Sequence, residues 1–201
     1  MRRCWGCALS DPPESRRYKT CQDFGSWGTL RKMRVFGIDC GTETTGFGVV
    51  ETCETGRQQR LVCMTMGAIR LAKTKSTAER LEQVYRELTA ALIQWQPDAV
   101  AIEEVFYSVN AKSALKLGQV RGVALLAACQ QGFAVAEYAP LTIKSSVVGY
   151  GLAKKEQVQF MVARLLELAE LPQPADAADA LAIAICHIHT AQTLAMQGAT
   201  R

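Results

Sequence analysis

The chain has 201 residues, 49% of them hydrophobic, and a formal net charge of +4, a make-up that fits one globular domain with a short appendage. No apolar run approaches the roughly 18 residues needed to span a bilayer. Arg2-Arg3 precedes a segment too short and mixed to be a signal-peptide core, so a cytoplasmic protein is expected.

Residues 1–34 hold eight Lys/Arg against three Asp/Glu, and the remainder holds fifteen against sixteen. The basic residues of that remainder are unevenly placed: six lie between residues 105 and 155, with Glu137 the one acid among them. A basic strip on an otherwise neutral domain points to a polyanionic partner.

Residues 1–32 contain Pro12-Pro13, scattered Gly and Ser and clustered Arg/Lys without a sustained period. They read as a flexible leader outside the fold, with residues 33–201 as the folded domain and Met33 as a candidate translation start. Cys4 and Cys7 have metal-ligand spacing and Cys21 offers a third thiol, but a structural zinc site takes four ligands and no fourth lies near. Without a secretion signal the eight cysteines are expected as free thiols. Cys40, Cys53, Cys63, Cys129 and Cys186 read as small core residues.

The fold begins with a short apolar run over 35–38 that ends in Asp39, a Gly-containing turn, and a second apolar run over 47–50. This is the pattern of a β-hairpin. Thr55-Gly56 marks another turn before a third strand over 59–70, completing an antiparallel meander. Ser76 to Glu79 offers a capping box, and Leu81, Val84, Tyr85, Leu88, Leu92 and Trp95 recur at helical spacing until Pro97. Residues 98–105 read as a buried strand carrying Glu103-Glu104. Asn110 then caps a helix through about residue 131, on which Gly118 and Gly122 share a face open to close backbone approach, in the core or across a dimer interface. A fifth strand over 133–138, a connector over 141–151 carrying Lys144, a helix over 154–168 and a last helix from residue 175 to about 194 complete the chain. Three strands followed by helices alternating with strands make an α/β layered fold with a mixed sheet.

Asp39 stands at the rim of a buried strand, where a carboxylate is costly unless paired or bound to a cation. Its candidate partners are Glu103, Asp176 and Asp179. Asp176 and Asp179 lie three apart, on one face of the last helix. Two acids in a first turn also complement the helix dipole, but this helix is apolar enough to be buried on most sides. Only one of Glu103 and Glu104 can face Asp39, and spacing does not choose between them. Four carboxylates without a convergent His or Cys suit Mg²⁺ or Mn²⁺, and two such ions can activate water and stabilise a leaving oxygen in phosphodiester cleavage. His187, three turns from Asp176, reads as structural.

These residues resemble the RuvC family of Holliday-junction endonucleases, which have an RNase H-like fold. The resemblance rests on Gly37-Ile-Asp39-Cys-Gly with Thr45-Gly46-Phe-Gly-Val-Val; Ala101-Ile-Glu103-Glu-Val-Phe106 followed by Asn110; Ser113 to Gly122; Val147-Val-Gly-Tyr-Gly151; and Ala175-Asp176-Ala-Ala-Asp179. It covers roughly residues 33–193. It implies a five-stranded mixed sheet with helices on both faces, and a homodimer that nicks opposing strands of a four-way DNA junction in homologous recombination and DNA repair, beside the branch-migration proteins RuvA and RuvB. Asp39, Glu103, Asp176 and Asp179 match the family's catalytic, metal-binding tetrad, expected to hold two ions per subunit, and this selects Glu103. Phe106 matches an aromatic implicated in stacking on junction bases, and Lys144 and Lys155 match DNA-contacting lysines. Cys40 replaces the family's usual Pro, placing a thiol near the metals with oxidation sensitivity as a consequence.

Gly37 to Thr44 also resembles the first phosphate loop of sugar kinases and actin-like ATPases. Those proteins need a second such loop and a second domain, for which the chain is short. A junction-binding protein without nuclease activity has no need of four clustered acids.

Overall fold

Alternation of side chains along two neighbouring strands decides what each face of the sheet carries. The computed structural model describes residues 32–55, 58–104 and 111–198; the expectations for Cys4, Cys7 and Cys21, for the Thr55-Gly56 turn and for the Asn110 cap rest wholly or partly on residues outside these. In β1 (Arg34–Asp39), Phe36 and Ile38 enter one core while Val35 enters the other. In β4 (Ala99–Glu103), Val100 and Ile102 join the first and Ala101 the second. The strands between and beside them are β2 (Thr44–Thr55), β3 (Gln58–Arg70) and β5 (Val135–Tyr138).

Sheet order is β3-β2-β1-β4-β5. The first three strands form the expected antiparallel meander, and β4 and β5 run parallel to β1. Strand β2 is longer than its apolar run because β3 pairs with it from Thr44 to Thr55, through a register shift at Val49/Val50.

One face is covered by α1 (Thr77–Trp95) and α2 (Ala111–Gln130), which bury Val84, Leu88, Leu92, Val120 and Ala124 against Phe36, Ile38 and Ile102. The capping box forms as expected: Glu79 N donates to Ser76 Oγ at 3.3 Å, and Ser76 N donates to Glu79 Oε2 at 2.7 Å. Gly118 and Gly122 are exposed and have no neighbour in reach of an added Cβ among the described residues, so among those residues no backbone packs on this face.

The other face carries α3 (Pro140–Val148), α4 (Lys155–Leu165) and α5 (Ala175–Gly198). Helix α3 corrects the reading of residues 141–151 as a connector. Pro140 presets its first turn, Ile143 and Val147 bury one turn apart, and Gly149 closes it at φ 96°. Four of its nine residues are Thr, Ile or Val, which lowers its intrinsic helix preference, and packing makes up the difference.

Helix α5 is the centre of this layer, with every residue from Leu181 to Ile188 buried. It lies directly on β1 and β2 because those strands offer glycine beneath it. An added Cβ would collide with the Ala180 carbonyl oxygen at Gly37 and with the Asp176 carbonyl oxygen at Gly46. Just before and within β1, Lys32 Nζ lies 2.9 Å from Glu51 Oε1, and Arg34 bridges the other carboxylate oxygen of Glu51 to the Trp95 carbonyl.

Among the described cysteines, all free thiols, Cys186 is buried and Cys40 and Cys63 half-buried, but Cys53 and Cys129 are exposed, contrary to their expected core placement. Both occupy the solvent side of an otherwise regular element, which spacing alone does not reveal. Among the described residues no helix is long and apolar enough to cross a membrane.

Candidate active site

The same alternation that sends Val35 and Gly37 toward α5 sends Asp39 there, one step beyond the last apolar residue of β1. Glu103 follows Ala101 onto that face by the same rule, at the end of β4. The parallel register Gly37↔Ala101 and Ile38↔Ile102 brings the two carboxylate-bearing strand ends side by side. Glu104 takes the opposite parity and is exposed, so geometry makes the choice that spacing left open.

Helix α5 delivers the other two acids. Gly46, the register partner of Asp39, sits under the Asp176 backbone, and Asp179 is one turn further along. Asp39, Glu103 and Asp179 line a pocket of about 210 Å³ together with Lys144, Lys155, Pro140, Ile143, Val158, Ala182 and Ile183. Asp176 stands just outside the lining but within electrostatic reach of Asp39 and Lys155.

The charges strain against one another. Burial, then the carboxylates of Asp179, Glu103 and Asp176, push Asp39 from 3.8 up to about 7, against the pull of Lys155. Glu103 is also raised, chiefly by burial and then by Asp179, with Lys144 and Lys155 opposing. Lys155 Nζ lies 2.6 Å from Asp179 Oδ2, and that bond raises the proton affinity of the ammonium. The donor set is carboxylate oxygen from three separate elements, the chemistry of a hard divalent ion. Among the described residues no three His, Cys, Asp or Glu side chains are drawn together tightly enough to form a ready-made chelate. The acids therefore form a convergent but open set, with an ammonium on one member.

A model for crossover junction endodeoxyribonuclease RuvC matches residues 35–187. The chain belongs to the RuvC family. Among its relatives, the RuvC of Acidobacterium capsulatum is 67% identical over 169 residues, covering 82% of this chain and 98% of that protein. That of Koribacter versatilis is 58% identical, covering 81% and 96%. A Thermus thermophilus RuvC structure superimposes with a TM-score of 0.73 at 34% identity, covering 80% of this chain and 96% of that one. T. thermophilus RuvC in complex with a Holliday junction substrate matches at a TM-score of 0.72 and 31% identity, covering 81% and 98%. The kinase-like and actin-like alternative is not favoured.

Two further features of this RuvC chain were not visible in its sequence. Arg121 on α2 donates from Nε to the Glu103 carbonyl at 3.2 Å and pairs with Glu137 on β5. It thus clamps the strand end that carries Glu103, and one member of the basic strip is engaged in contacts within the fold. Only its place among other basic residues marked it beforehand. Cys40 points away from the acids into the α1–α2 core. Burial and the nearby Asp39 charge push its thiol up to about 12. Since the thiolate is the reactive form, the expected oxidation sensitivity does not follow.

His187 is buried, with Nδ1 2.8 Å from the Tyr138 hydroxyl, and burial pulls it down to about 4. It does not line the acid pocket, in keeping with a structural role. Phe106 lies outside the described residues.

Proposed function

We propose that this chain resolves four-way DNA junctions by metal-dependent hydrolysis of phosphodiester bonds, in homologous recombination and DNA repair. The observation that carries the reading is one pocket in which Asp39, Glu103 and Asp179 face Lys144 and Lys155, in a chain of the RuvC family. Asp39, Glu103, Asp176 and Asp179 are the residues that would hold the ions, Mg²⁺ or Mn²⁺ and two per subunit. Bound there, divalent cations supply an activated water and a charge sink for the leaving oxygen.

The chain's own residues do the rest. The four carboxylates repel a phosphate backbone until their charge is compensated, which couples substrate entry to cation occupancy. Lys155 compensates Asp179 in the substrate-free site. Together with Lys144 it then meets the phosphates flanking the cut. Ile143, Val158 and Ile183 wall the pocket with apolar surface, which strengthens the electrostatic contacts within it. Phe106 supplies a stacking face to junction bases.

Symmetric nicking needs two such sites, and a homodimer supplies them. Gly118 and Gly122, with exposed Leu115 and Leu126, form an open face of α2 suited to a second copy. The dimer works in the cytoplasm beside RuvA and RuvB.

The test is incubation with a synthetic four-way junction and a matched linear duplex with Mg²⁺, followed by mapping of the nicks. Symmetric nicks in the junction and an intact duplex are expected. Equal cutting of both substrates, or none of either, would sink the proposal.

A further inference from the structure

Between α3 and α4 the chain makes a short loop, residues 149–154, whose composition does not suit a mere connector. The two helices that it joins bring Lys144 and Lys155 to the acid pocket, so the loop connects two elements that line the pocket without lining it itself. Yet it exposes large apolar surface: Tyr150 is 47% exposed and Leu152 81%, with Leu141 at 56% in the first turn of α3. Leu141 adjoins the loop, since an added Cβ at Gly151 would lie 3.3 Å from the Leu141 carbonyl oxygen and 3.5 Å from its Cβ.

The tyrosine is held rather than loose. Its hydroxyl donates to Gln157 Oε1 at 3.0 Å, and the same oxygen accepts from Lys154 N at 2.8 Å at the start of α4. One side-chain amide thus ties the phenol tip to the helix that carries Lys155. An aromatic anchored by its polar end gives up little conformational freedom on binding. Lys154 adjoins it through Gln157, Lys144 and Lys155 stand on the two helices that flank the loop, and Glu156 is the one acid between residues 140 and 160. Fixed aromatic surface framed by ammonium groups complements a polyanion that presents exposed base faces.

We propose that Tyr150 is a base-stacking residue of the DNA site, receiving on its exposed ring face an unpaired base of the junction, with Leu152 extending the apolar platform. The inference rests on the reading of the chain as a junction endonuclease and adds to it a substrate-positioning residue. Its energetic signature differs from that of the lysines. Stacking releases no counterions, so removing the ring lowers affinity without changing its salt dependence.

The experiment measures junction affinity across a salt series for the full chain and for Tyr150→Ala, Tyr150→Phe and Lys155→Ala, with Ca²⁺ in place of Mg²⁺ so that the carboxylates are compensated while cutting is suppressed. A junction with 2-aminopurine beside its branch point reports stacking by fluorescence quenching. Tyr150→Ala is expected to bind about 5- to 100-fold more weakly, with an unchanged slope of log affinity against log salt and with the quenching lost. Tyr150→Phe keeps the ring and should stay within about threefold of the unsubstituted chain, the loss of one exposed hydrogen bond. Circular dichroism melts verify that all three variants fold. Unchanged affinity and quenching in Tyr150→Ala overturn the inference. So does a loss accompanied by a flattened slope, which would mean that the loop merely positions lysines. If the unsubstituted chain fails to bind junctions, the junction reading itself falls and this inference falls with it.

Discussion

Replacing Asp39 by asparagine removes a charge that the folded, metal-free chain holds at a cost. Burial and three neighbouring carboxylates move this group from 3.8 to about 7. Between about pH 4 and pH 7 the folded chain keeps a proton here that the unfolded chain has released. Stability therefore falls as pH rises through that window and levels off above it. The full shift corresponds to about 4 kcal/mol. Some of this is offset by burying an amide in place of the carboxyl, leaving an expected net gain of about 2–3 kcal/mol for Asp39→Asn near pH 8. In a chain of this size that is a rise in melting temperature of about 4–12 °C.

Thermal and urea melts in EDTA at about pH 5 and pH 8 measure it. Asp39→Asn should be clearly more stable than the unsubstituted chain at the higher pH, with the difference much reduced at the lower. Adding Mg²⁺ should then stabilise the unsubstituted chain more than the variant. The same variant should bind four-way junctions in gel shift yet fail to cut them. A variant less stable in EDTA at high pH, or a difference that does not vary with pH, refutes the electrostatic reasoning. Undiminished cutting refutes the catalytic assignment.

Gly46→Ala should cost about 1–3 kcal/mol in urea melts, because its Cβ has no room beside the Asp176 carbonyl, and should lower Mg²⁺-dependent cutting by displacing that turn of α5. Lys155→Ala should weaken junction binding and reduce the magnitude of its salt slope by about 1; a slope equal to that of the unsubstituted chain would remove Lys155 from the DNA. Arg121→Ala should lower single-turnover cutting about tenfold through loss of the hold on Glu103, a loss of about 1.4 kcal/mol. Arg121→Lys should recover less than half of that loss, since an ammonium cannot span the Glu103 carbonyl and Glu137 with one rigid fork. Full activity in Arg121→Ala would show that the clamp is dispensable.

Much of the site was legible in the sequence because its parts are local patterns. An apolar run ending in Asp39, and two acids three apart in an apolar helix, each announce a carboxylate beside a core. The capping box at Ser76 and the stop before Pro97 were legible for the same reason, since caps are satisfied within one turn. Segment 140–148 was not: Pro140 and Gly149 mark its ends, but its four β-branched residues weaken a helix of nine, and burial of Ile143 and Val147 against the α5 layer completes it. The exposure of Cys53 and Cys129 was hidden likewise, because a cysteine's position along the chain does not say which face is covered.

By itself, then, the sequence determined which residue types stand at the strand ends and at the head of the last helix, and so the kind of chemistry available. Which of Glu103 and Glu104 joins Asp39 was decided by tertiary structure, through the parallel register of β1 with β4 and the alternation it imposes. The approach of α5 to the sheet over Gly37 and Gly46, the seat of Lys155 on Asp179 and the reach of Arg121 to the Glu103 carbonyl were decided there too. Each joins residues far apart in the chain, and a contact of that kind exists only once packing has fixed the distance between the elements that carry it.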